Sequence, residues 1–224
     1  MELAIFNESF LAFLFRWLHF LAGITWIGLL YYFNFVQGEY FKEADGGAKS
    51  DVIQKMVPRA LWWFRWGAMF TLLSGLYLIY FWKTGGMGIM IGATMGIIMF
   101  MNVWLIIWPN QKIVIASAKQ VADGGEALPG AAVALAKAGL ASRTNTLFSI
   151  PMLFFMASSK YLPAVNLTQI YEASAASLAL VFGLIVVLAL NGLVGKAGPF
   201  TSIKGVIGSG FLLTAILYVL VCTS

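Results

Sequence analysis

The sequence predicts an all-α integral membrane protein, a polytopic bundle of about six transmembrane helices. Of its 224 residues, 61% are hydrophobic and 10% are charged, whereas an average soluble domain has about 45–50% apolar and about 25% charged residues. The apolar residues form runs of about 20, the length of helix that crosses a bilayer core of about 30 Å. These runs lack the apolar/polar alternation of membrane strands, so helices are predicted and not a barrel.

The chain reads as a single transmembrane domain over residues 1–224. We place the spans at about residues 10–36, 60–82, 87–108, 141–158, 174–193 and 203–221. The second span opens near Pro58, because proline is favoured at the first position of a helix. The third ends at Pro109, and Pro151 should kink the fourth. Residues 110–140 are less apolar and contain a Gly-Gly pair, which predicts helical segments at the membrane surface.

The distribution of Lys and Arg predicts the orientation of the bundle. Four such residues lie between the first two spans, four around the third connection and two between the last two spans, whereas Lys83 and Lys160 are alone on the opposite side. Because cytoplasmic loops are enriched in these residues, both termini are expected on the non-cytoplasmic side. The N-terminus has neither a basic region nor a small-residue cleavage site, so the first span is expected to be retained and not a signal peptide.

Several classes of function are excluded by composition and motifs. The net charge of +5 is spread over loops and not gathered on one face, so a nucleic-acid partner is not expected. The single cysteine, Cys222, excludes an intrachain disulfide, a thiolate zinc site and covalent attachment of haem. The sequence contains no Walker loop, dinucleotide fingerprint, nucleophile triad or carboxylate pair, so hydrolysis and ATP chemistry have no support.

The first span carries the candidate site. Arg16, His19, Gly23 and Trp26 follow one another at spacings of three or four residues, so they share one helical face. His19 is the only histidine, and it lies about 14 Å along the helix from Phe10, close to the middle of the bilayer. An ionisable residue at that depth usually faces a partner, a cavity or a cofactor.

Two hypotheses for His19 remain open. In the first, its imidazole ligates the iron of a haem b, Gly23 lets the flat macrocycle approach the backbone, and Arg16 pairs with a propionate. In the second, His19 donates a hydrogen bond to a neighbouring helix and fixes the bundle, while Arg16 extends to the lipid headgroups. A lone histidine excludes two bis-histidine haems, so one haem at most is expected. The sixth ligand of the haem iron would be absent, supplied by another subunit, or one of four methionines that otherwise only fill space. These are Met69, Met99, Met101 and Met152.

A second group of polar residues lies at the predicted cytoplasmic ends of the spans. Its members are Asn34, Arg65, Asn102, Asn110, Arg143, Asn145 and Asn191. Ser142, Asn145, Ser149 and Met152 also share one face of the fourth span. The group either lines a polar pocket for a small anion, with Arg65 and Arg143 as counter-charges, or consists of interhelical hydrogen bonds and interface anchors.

Four sequence blocks resemble the membrane domain of the urate hydroxylase family (PuuD type). The blocks are FRWLHFLAGITWIGLLYYFNFVQ, VPRALWWFRWGA, NVWLIIWPNQK and ASRTNTLFSIPMLFFM, in that order within residues 10–158. The resemblance implies a membrane oxidoreductase of the bacterial inner membrane that passes electrons to a cytochrome c. Members of this family resemble a membrane oxidoreductase fused to a C-terminal cytochrome c. Here the sequence stops after the sixth span, so the cytochrome c is expected as a separate partner. More faintly, His19 followed by Trp26 resembles small membrane proteins that bind haem or copper.

The sequence therefore leaves three functional hypotheses. The first is a haem-bearing membrane oxidoreductase or electron-transfer subunit related to urate hydroxylase. The second is an accessory subunit of a larger membrane complex with no chemistry of its own. The third, a transporter, is the least favoured, because the chain shows neither a repeat nor paired broken helices.

Overall fold

The computed structural model describes residues 7–82, 85–162 and 175–223. Every regular element within these ranges is a helix, which confirms the predicted all-α class. The α-helices, in chain order, are α1 (Glu8–Tyr31), α2 (Gly38–Glu43), α3 (Gly46–Asp51), α4 (Val57–Trp82), α5 (Met87–Met101), α6 (Trp108–Ala122), α7 (Ala131–Ser158), α8 (Ala175–Val194) and α9 (Ile203–Cys222). A short 3₁₀ turn, Gly198–Thr201, precedes α9.

Three π-helical turns join consecutive α-helices into longer ones. Tyr32–Gln37 connects α1 to α2, Val52–Met56 connects α3 to α4, and Asn102–Ile107 connects α5 to α6. Two of these turns come just before a proline, Pro58 in α4 and Pro109 in α6. Proline offers no N–H to the carbonyl four residues back and crowds it, and a wider turn at that point accommodates both effects.

The helix therefore continues through Pro109, although the third span was predicted to end there. It ends at Ala122, shortly before Gly124, whose φ of 87° is in the left-handed region that glycine adopts without strain. Helix α7 then begins at Ala131. Residues 110–140 are thus mostly the end of one long helix and the beginning of the next.

Within the described ranges, four helices are long and apolar enough to cross a membrane: Glu8–Glu43, Met87–Ala122, Ala175–Val194 and Ile203–Cys222. Helices α4 and α7 have 26 and 28 residues, so they match the others in length. They are less apolar, and in α7 the reason is a set of four polar residues with 0% exposure: Thr144, Asn145, Thr146 and Ser149. The predicted count of six spans and the orientation of the termini remain predictions.

Helix α7 lies at the centre of the bundle and contacts α5, α6, α8, α9 and α1. Helix α1 packs along α4, and the two backbones approach each other closely at Gly67 of α4. A Cβ atom at that position would lie 3.1 Å from the Trp26 amide nitrogen and 3.3 Å from the Ala22 carbonyl oxygen. Small residues permit this kind of close helix contact in membrane proteins.

The outer surface of the bundle is strongly apolar. Phe20, Ile24, Leu105 and Val187 are between 62% and 71% exposed, and they lie on three different helical segments. A water-soluble monomer rarely exposes apolar surface this widely, whereas a lipid environment accommodates it. The structure therefore supports a membrane protein.

Candidate functional site

His19 is half-buried between α1 and α4. Its Nδ1 lies 3.1 Å from the hydroxyl oxygen of Ser74 on α4, and the Thr71 carbonyl also interacts with the ring. The ring rests against Gly75, where a Cβ atom would lie only 3.0 Å from its Cε1 atom. This is the kind of contact with a neighbouring helix that the packing hypothesis requires.

The hydrogen bonds of Ser74 indicate which imidazole nitrogen carries the proton. The hydroxyl donates its single hydrogen to backbone carbonyls, with Ser74 Oγ 2.6 Å from the Phe70 oxygen and 3.1 Å from the Thr71 oxygen. Oγ is then an acceptor toward His19, so Nδ1 is the protonated nitrogen and Nε2 of the neutral ring has the lone pair. Metal-bound histidines commonly have their second nitrogen fixed by such a hydrogen bond. The contact is therefore compatible with both hypotheses.

The four residues of the predicted face differ in burial. Arg16 is exposed and forms no ion pair within the described residues, whereas Trp26 is 2% exposed and belongs to the core. Gly23 is half-buried, and a Cβ atom there would meet nothing within 4 Å. The residues fit a single haem in donor chemistry, because an imidazole lone pair is available and the backbone near it is unobstructed at Gly23.

The candidate methionine ligands are divided between core and surface. Met99 and Met152 are 0% and 5% exposed and lie in the core cluster, while Met101 is 42% exposed. Met69 is half-buried on α4. Met152 packs against α5, where a Cβ atom at Gly96 would lie 3.6 Å from its sulfur. Space-filling accounts for the buried pair.

The second polar group forms interhelical hydrogen bonds near the opposite end of α1. The buried amide of Asn102 donates to Asn145 Oδ1 at 2.8 Å, and Asn145 Nδ2 donates to the Met99 carbonyl at 2.9 Å. Asn34 Nδ2 donates to Ser142 Oγ at 2.8 Å, which joins the end of α1 to α7. Two other members bond locally, Asn110 to the Ile106 carbonyl and Asn191 to the Lys196 carbonyl.

Tyr31 strengthens the same connection, since its hydroxyl lies 2.9 Å from Ser149 Oγ on α7. The interhelical hydrogen-bonding hypothesis thus describes most of this group well.

The same end of the bundle contains a cavity of about 950 Å³. We call it the cationic cavity, because its lining includes Lys42, Lys49, Lys137 and Arg143 and no Asp or Glu among the described residues. It is formed where the π turn after α1, the beginning of α4, the first half of α7 and residues 193–201 meet. In the sequence, the three lysines were noticeable only as loop charges, which we interpreted as a sign of the orientation of the bundle.

Arg65 does not line the cationic cavity, which corrects its pairing with Arg143 as a counter-charge. Its guanidinium carbon lies 3.9 Å from the ring centre of Trp108, and its backbone carbonyl accepts a hydrogen bond from Trp104 Nε1 at 3.2 Å. Arg65 therefore stacks on aromatic rings between α4 and the long α5–α6 helix.

A second cavity, of about 420 Å³, runs along the surface between α1 and α4. Its lining includes Thr25, Ser74 and three tryptophans of α4, Trp62, Trp63 and Trp66. His19 lines neither of these two cavities.

Comparison with known families identifies one segment. Residues 83–191 match the family model described as urate oxidase N-terminal. The predicted family resemblance is confirmed over that segment. The match to the urate oxidase N-terminal family contains the third and fourth of the four sequence blocks and includes Lys137 and Arg143. It does not include His19. No curated protein and no solved structure matches the chain.

Proposed function

We propose that this chain is a membrane oxidoreductase or electron-transfer subunit of the urate hydroxylase kind, which binds one haem b through His19. The observation that carries the proposal is the donation of the Ser74 hydroxyl to the Phe70 carbonyl at 2.6 Å. Ser74 Oγ then accepts from His19 Nδ1, 3.1 Å away, and we infer a lone pair on Nε2. The match to the urate oxidase N-terminal family supports the oxidative chemistry and suggests urate as the substrate. A cytochrome c is the proposed electron acceptor.

Each residue of the face has a role in this proposal. A haem b supplies a centre that takes up and releases one electron at a time. His19 would hold the group through Nε2, while Ser74 fixes the orientation of the ring. Gly23 leaves the space that a flat group needs beside the helix, and the exposed Arg16 is the cation available to a carboxylate. Trp26 anchors α1 in the core.

The proposal includes a specific placement in the membrane. We place six spans in the bacterial inner membrane, with both termini on the non-cytoplasmic side. The pattern of Lys and Arg in the loops supports this orientation, since the cations of the cationic cavity would then all lie at the cytoplasmic end. A cytochrome c on the non-cytoplasmic side would approach the end of the bundle nearer to His19.

The proposal is tested by the visible absorption spectrum of the purified protein, produced with a haem precursor in the growth medium. We expect a Soret band and about one haem per chain, and a loss of both in His19→Ala. The matched control is Thr94→Ala, which removes a polar side chain bonded only to the Met90 carbonyl of its own helix. A protein without haem, or His19→Ala that retains it, would contradict the proposal.

A second variant tests the geometry and not only the ligand. Gly23→Leu fills open space beside α1, so we expect the fold to persist and the haem content to fall. The thermal midpoint of the haem-free protein reports the fold, and the pyridine haemochrome reports the haem. Urate consumption by membranes with added cytochrome c then tests the substrate.

One observation favours a second candidate function, a non-catalytic subunit of a larger complex. The His19 ring rests against Gly75 of α4, where a Cβ atom would lie 3.0 Å from Cε1, and a histidine that only joins α1 to α4 would show this packing. This candidate predicts cofactor-free protein that co-purifies with other membrane subunits. It also predicts that His19→Ala weakens that association without any spectral change.

A further inference from the structure

We propose that the cationic cavity binds an anionic phospholipid of the phosphatidylglycerol type, with its phosphate at Arg143 and its acyl chains leaving the bundle beside α8. The site is distinct from the His19 face, since Asn34 at the cavity lies about 22 Å along the helix from His19. The inference goes beyond the proposed function, because it requires neither haem nor oxidative chemistry. It depends on the residues of the cavity alone.

The first argument is an excess of positive charge at the cavity. Arg143 lines it with a buried Nη1 atom that has no hydrogen-bond partner among the described residues. A buried guanidinium nitrogen without an acceptor is costly, and a phosphate oxygen is an acceptor that suits the geometry of arginine. Lys49 and Lys137 line the same space and form no ion pair in the described part of the chain.

The carboxylate of Glu39 does not cancel this charge. Glu39 interacts electrostatically with Arg143, but both of its oxygens accept from Lys42 Nζ at 2.8 Å. Lys42 and Glu39 therefore compensate each other. Among the described residues, the three remaining cations of the lining, Lys49, Lys137 and Arg143, form no ion pair with a carboxylate.

The second argument is the order of charged and apolar residues along the helices that line the cavity. In the continuous helix that contains α1 and α2, Phe33 lies about 14 Å before Lys42. In the helix that continues from α3 into α4, Lys49 comes first and Leu61 follows about 18 Å further along. The lysines thus lie toward the polar end of the bundle and the apolar side chains toward its middle. Headgroups and acyl chains have the same order in a lipid leaflet.

The third argument is an apolar surface that continues from the cavity to the outside of the bundle. Leu193 and Val194, at the end of α8, line the cavity and are also 43% and 89% exposed. Leu190, one turn earlier on α8, is 53% exposed. Acyl chains that start in the cavity would follow these side chains into the surrounding lipid. A soluble anion would leave this surface unused, so the path favours a ligand with hydrocarbon chains.

The fourth argument concerns the group attached to the phosphate. Gln37 lines the cavity, and its buried Oε1 has no hydrogen-bond partner among the described residues. A carbonyl oxygen requires a donor, and the hydroxyls of a glycerol headgroup supply one without adding a cation. A choline or ethanolamine headgroup would bring a positive charge next to the lysines, where no Asp or Glu of the described chain lines the cavity.

The size of the cavity is sufficient for such a headgroup. Sites for drug-sized ligands measure roughly 300–1,000 Å³, and this cavity measures about 950 Å³. A phosphoglycerol group is smaller than a drug-sized ligand, so space remains for the first carbons of the acyl chains beside Phe33 and Phe64. Basic pockets between transmembrane helices are known to bind anionic headgroups.

The test is a titration of the full chain, purified in a mild nonionic detergent, with phosphatidylglycerol. Native mass spectrometry counts the lipids bound to each chain. We expect one saturable site for phosphatidylglycerol. Phosphatidylcholine with the same acyl chains should bind about tenfold more weakly or less, because its added cation meets the uncompensated lysines.

Variants locate the binding in the cavity. Arg143→Gln should weaken phosphatidylglycerol binding by about tenfold or more, and Lys137→Gln by about fivefold. The matched controls are Arg59→Gln and Lys119→Gln, which replace exposed cations outside the cavity and should leave the affinity almost unchanged. If Arg143→Gln does not fold, the double variant of Lys49 and Lys137 to Gln decides, with a loss of about tenfold or more expected.

The role of Gln37 is tested with phosphatidylmethanol, a lipid with the same phosphate diester and charge but without the headgroup hydroxyls. The unchanged chain should prefer phosphatidylglycerol by several-fold, because only this lipid donates to Gln37. Gln37→Leu should remove the preference and leave phosphatidylmethanol binding unchanged. A preference that persists in Gln37→Leu would contradict the assignment of the headgroup.

Three outcomes would overturn the proposal. The first is equal binding of phosphatidylglycerol and phosphatidylcholine. The second is an equal loss of binding in the cavity variants and in Arg59→Gln, which would mean that the lipid is retained by the charged surface in general. The third is displacement of the lipid by inorganic phosphate or glycerol phosphate at similar concentrations, which would show that the cavity recognises a soluble phosphate.

Discussion

Two parts of the continuous helix Glu8–Glu43 are connected to the bundle in different ways. We call the part around His19 the first end and the part around Tyr31 and Asn34 the second end. Near His19, the imidazole is hydrogen-bonded to Ser74 of α4 and also interacts with the Thr71 carbonyl of the same helix. Near Tyr31 and Asn34, α1 is bonded to the central helix α7 through Ser149 and Ser142. The first end borders open space at Gly23, and the second borders the cationic cavity.

Polar groups that are hydrogen-bonded between helices stabilise the fold, whereas polar groups without a partner are available to bind a ligand. The polar groups around Asn145 satisfy one another, so they contribute mainly to stability. Among the described residues, four buried side-chain atoms have no hydrogen-bond partner: Trp26 Nε1, Gln37 Oε1, Arg65 Nε and Arg143 Nη1. Gln37 and Arg143 line the cationic cavity. The segment that matches the urate oxidase N-terminal family includes Arg143 and Asn145 but not His19.

The largest effect on stability is expected from Gly192→Leu at the end of α8 near the cavity. A Cβ atom there would lie 2.5 to 2.9 Å from the side-chain atoms of Thr144 on α7. Because Thr144 is β-branched and fully buried, it cannot move away easily, and the cost should be about 3 kcal/mol. Chemical denaturation of the purified protein measures it.

Gly183→Leu is the matched control, since a Cβ atom at that position of α8 meets nothing within 4 Å. It should leave the denaturation midpoint almost unchanged. Equal effects of the two substitutions would show that α7 and α8 do not pack as described.

Asn145→Ala should have the next largest effect. It leaves the buried Asn102 amide and the Met99 carbonyl without their partner, at a cost of about 1–2 kcal/mol in a membrane bundle. The same denaturation experiment measures the change, with Thr94→Ala as the control. A loss of unfolding free energy smaller than that of Thr94→Ala would mean that the hydrogen bonds near Tyr31 and Asn34 do not stabilise the bundle as described.

Ser74→Ala should have the smallest effect on stability, below about 1 kcal/mol, because one half-buried hydrogen bond is lost. Its effect on the His19 face should be larger. Removal of a residue that orients a metal ligand typically reduces affinity about 10–100-fold. Haem titration of the apoprotein measures this affinity, and an unchanged value would favour a purely structural His19.

The fold class followed from composition, but the continuity of the helices did not. The apolar runs around Ile24 and Val187 predict helices because no other element satisfies its backbone in lipid. The helix end predicted at Pro109 was wrong, because the π turn Asn102–Ile107 absorbs the missing N–H. Such turns depend on tertiary packing and leave no reliable pattern in a single sequence.

The sequence predicted the His19 site more completely than the cationic cavity. His19 was noticeable as the only histidine, and its partner Ser74 was not, since 55 positions separate them. Arg143 was grouped with Arg65 by depth alone, whereas the structure directs only Arg143 into the cavity. The lysines of the cavity were interpreted as topology signals, and only the folded chain brings Lys49 and Lys137 together.

The haem-to-protein ratio in two variants tests the division between the two ends most directly. We predict that His19→Ala loses haem, whereas Arg143→Gln, at the other end, keeps about one haem per chain. Retention of haem by His19→Ala, or loss of haem in folded Arg143→Gln, would contradict this account.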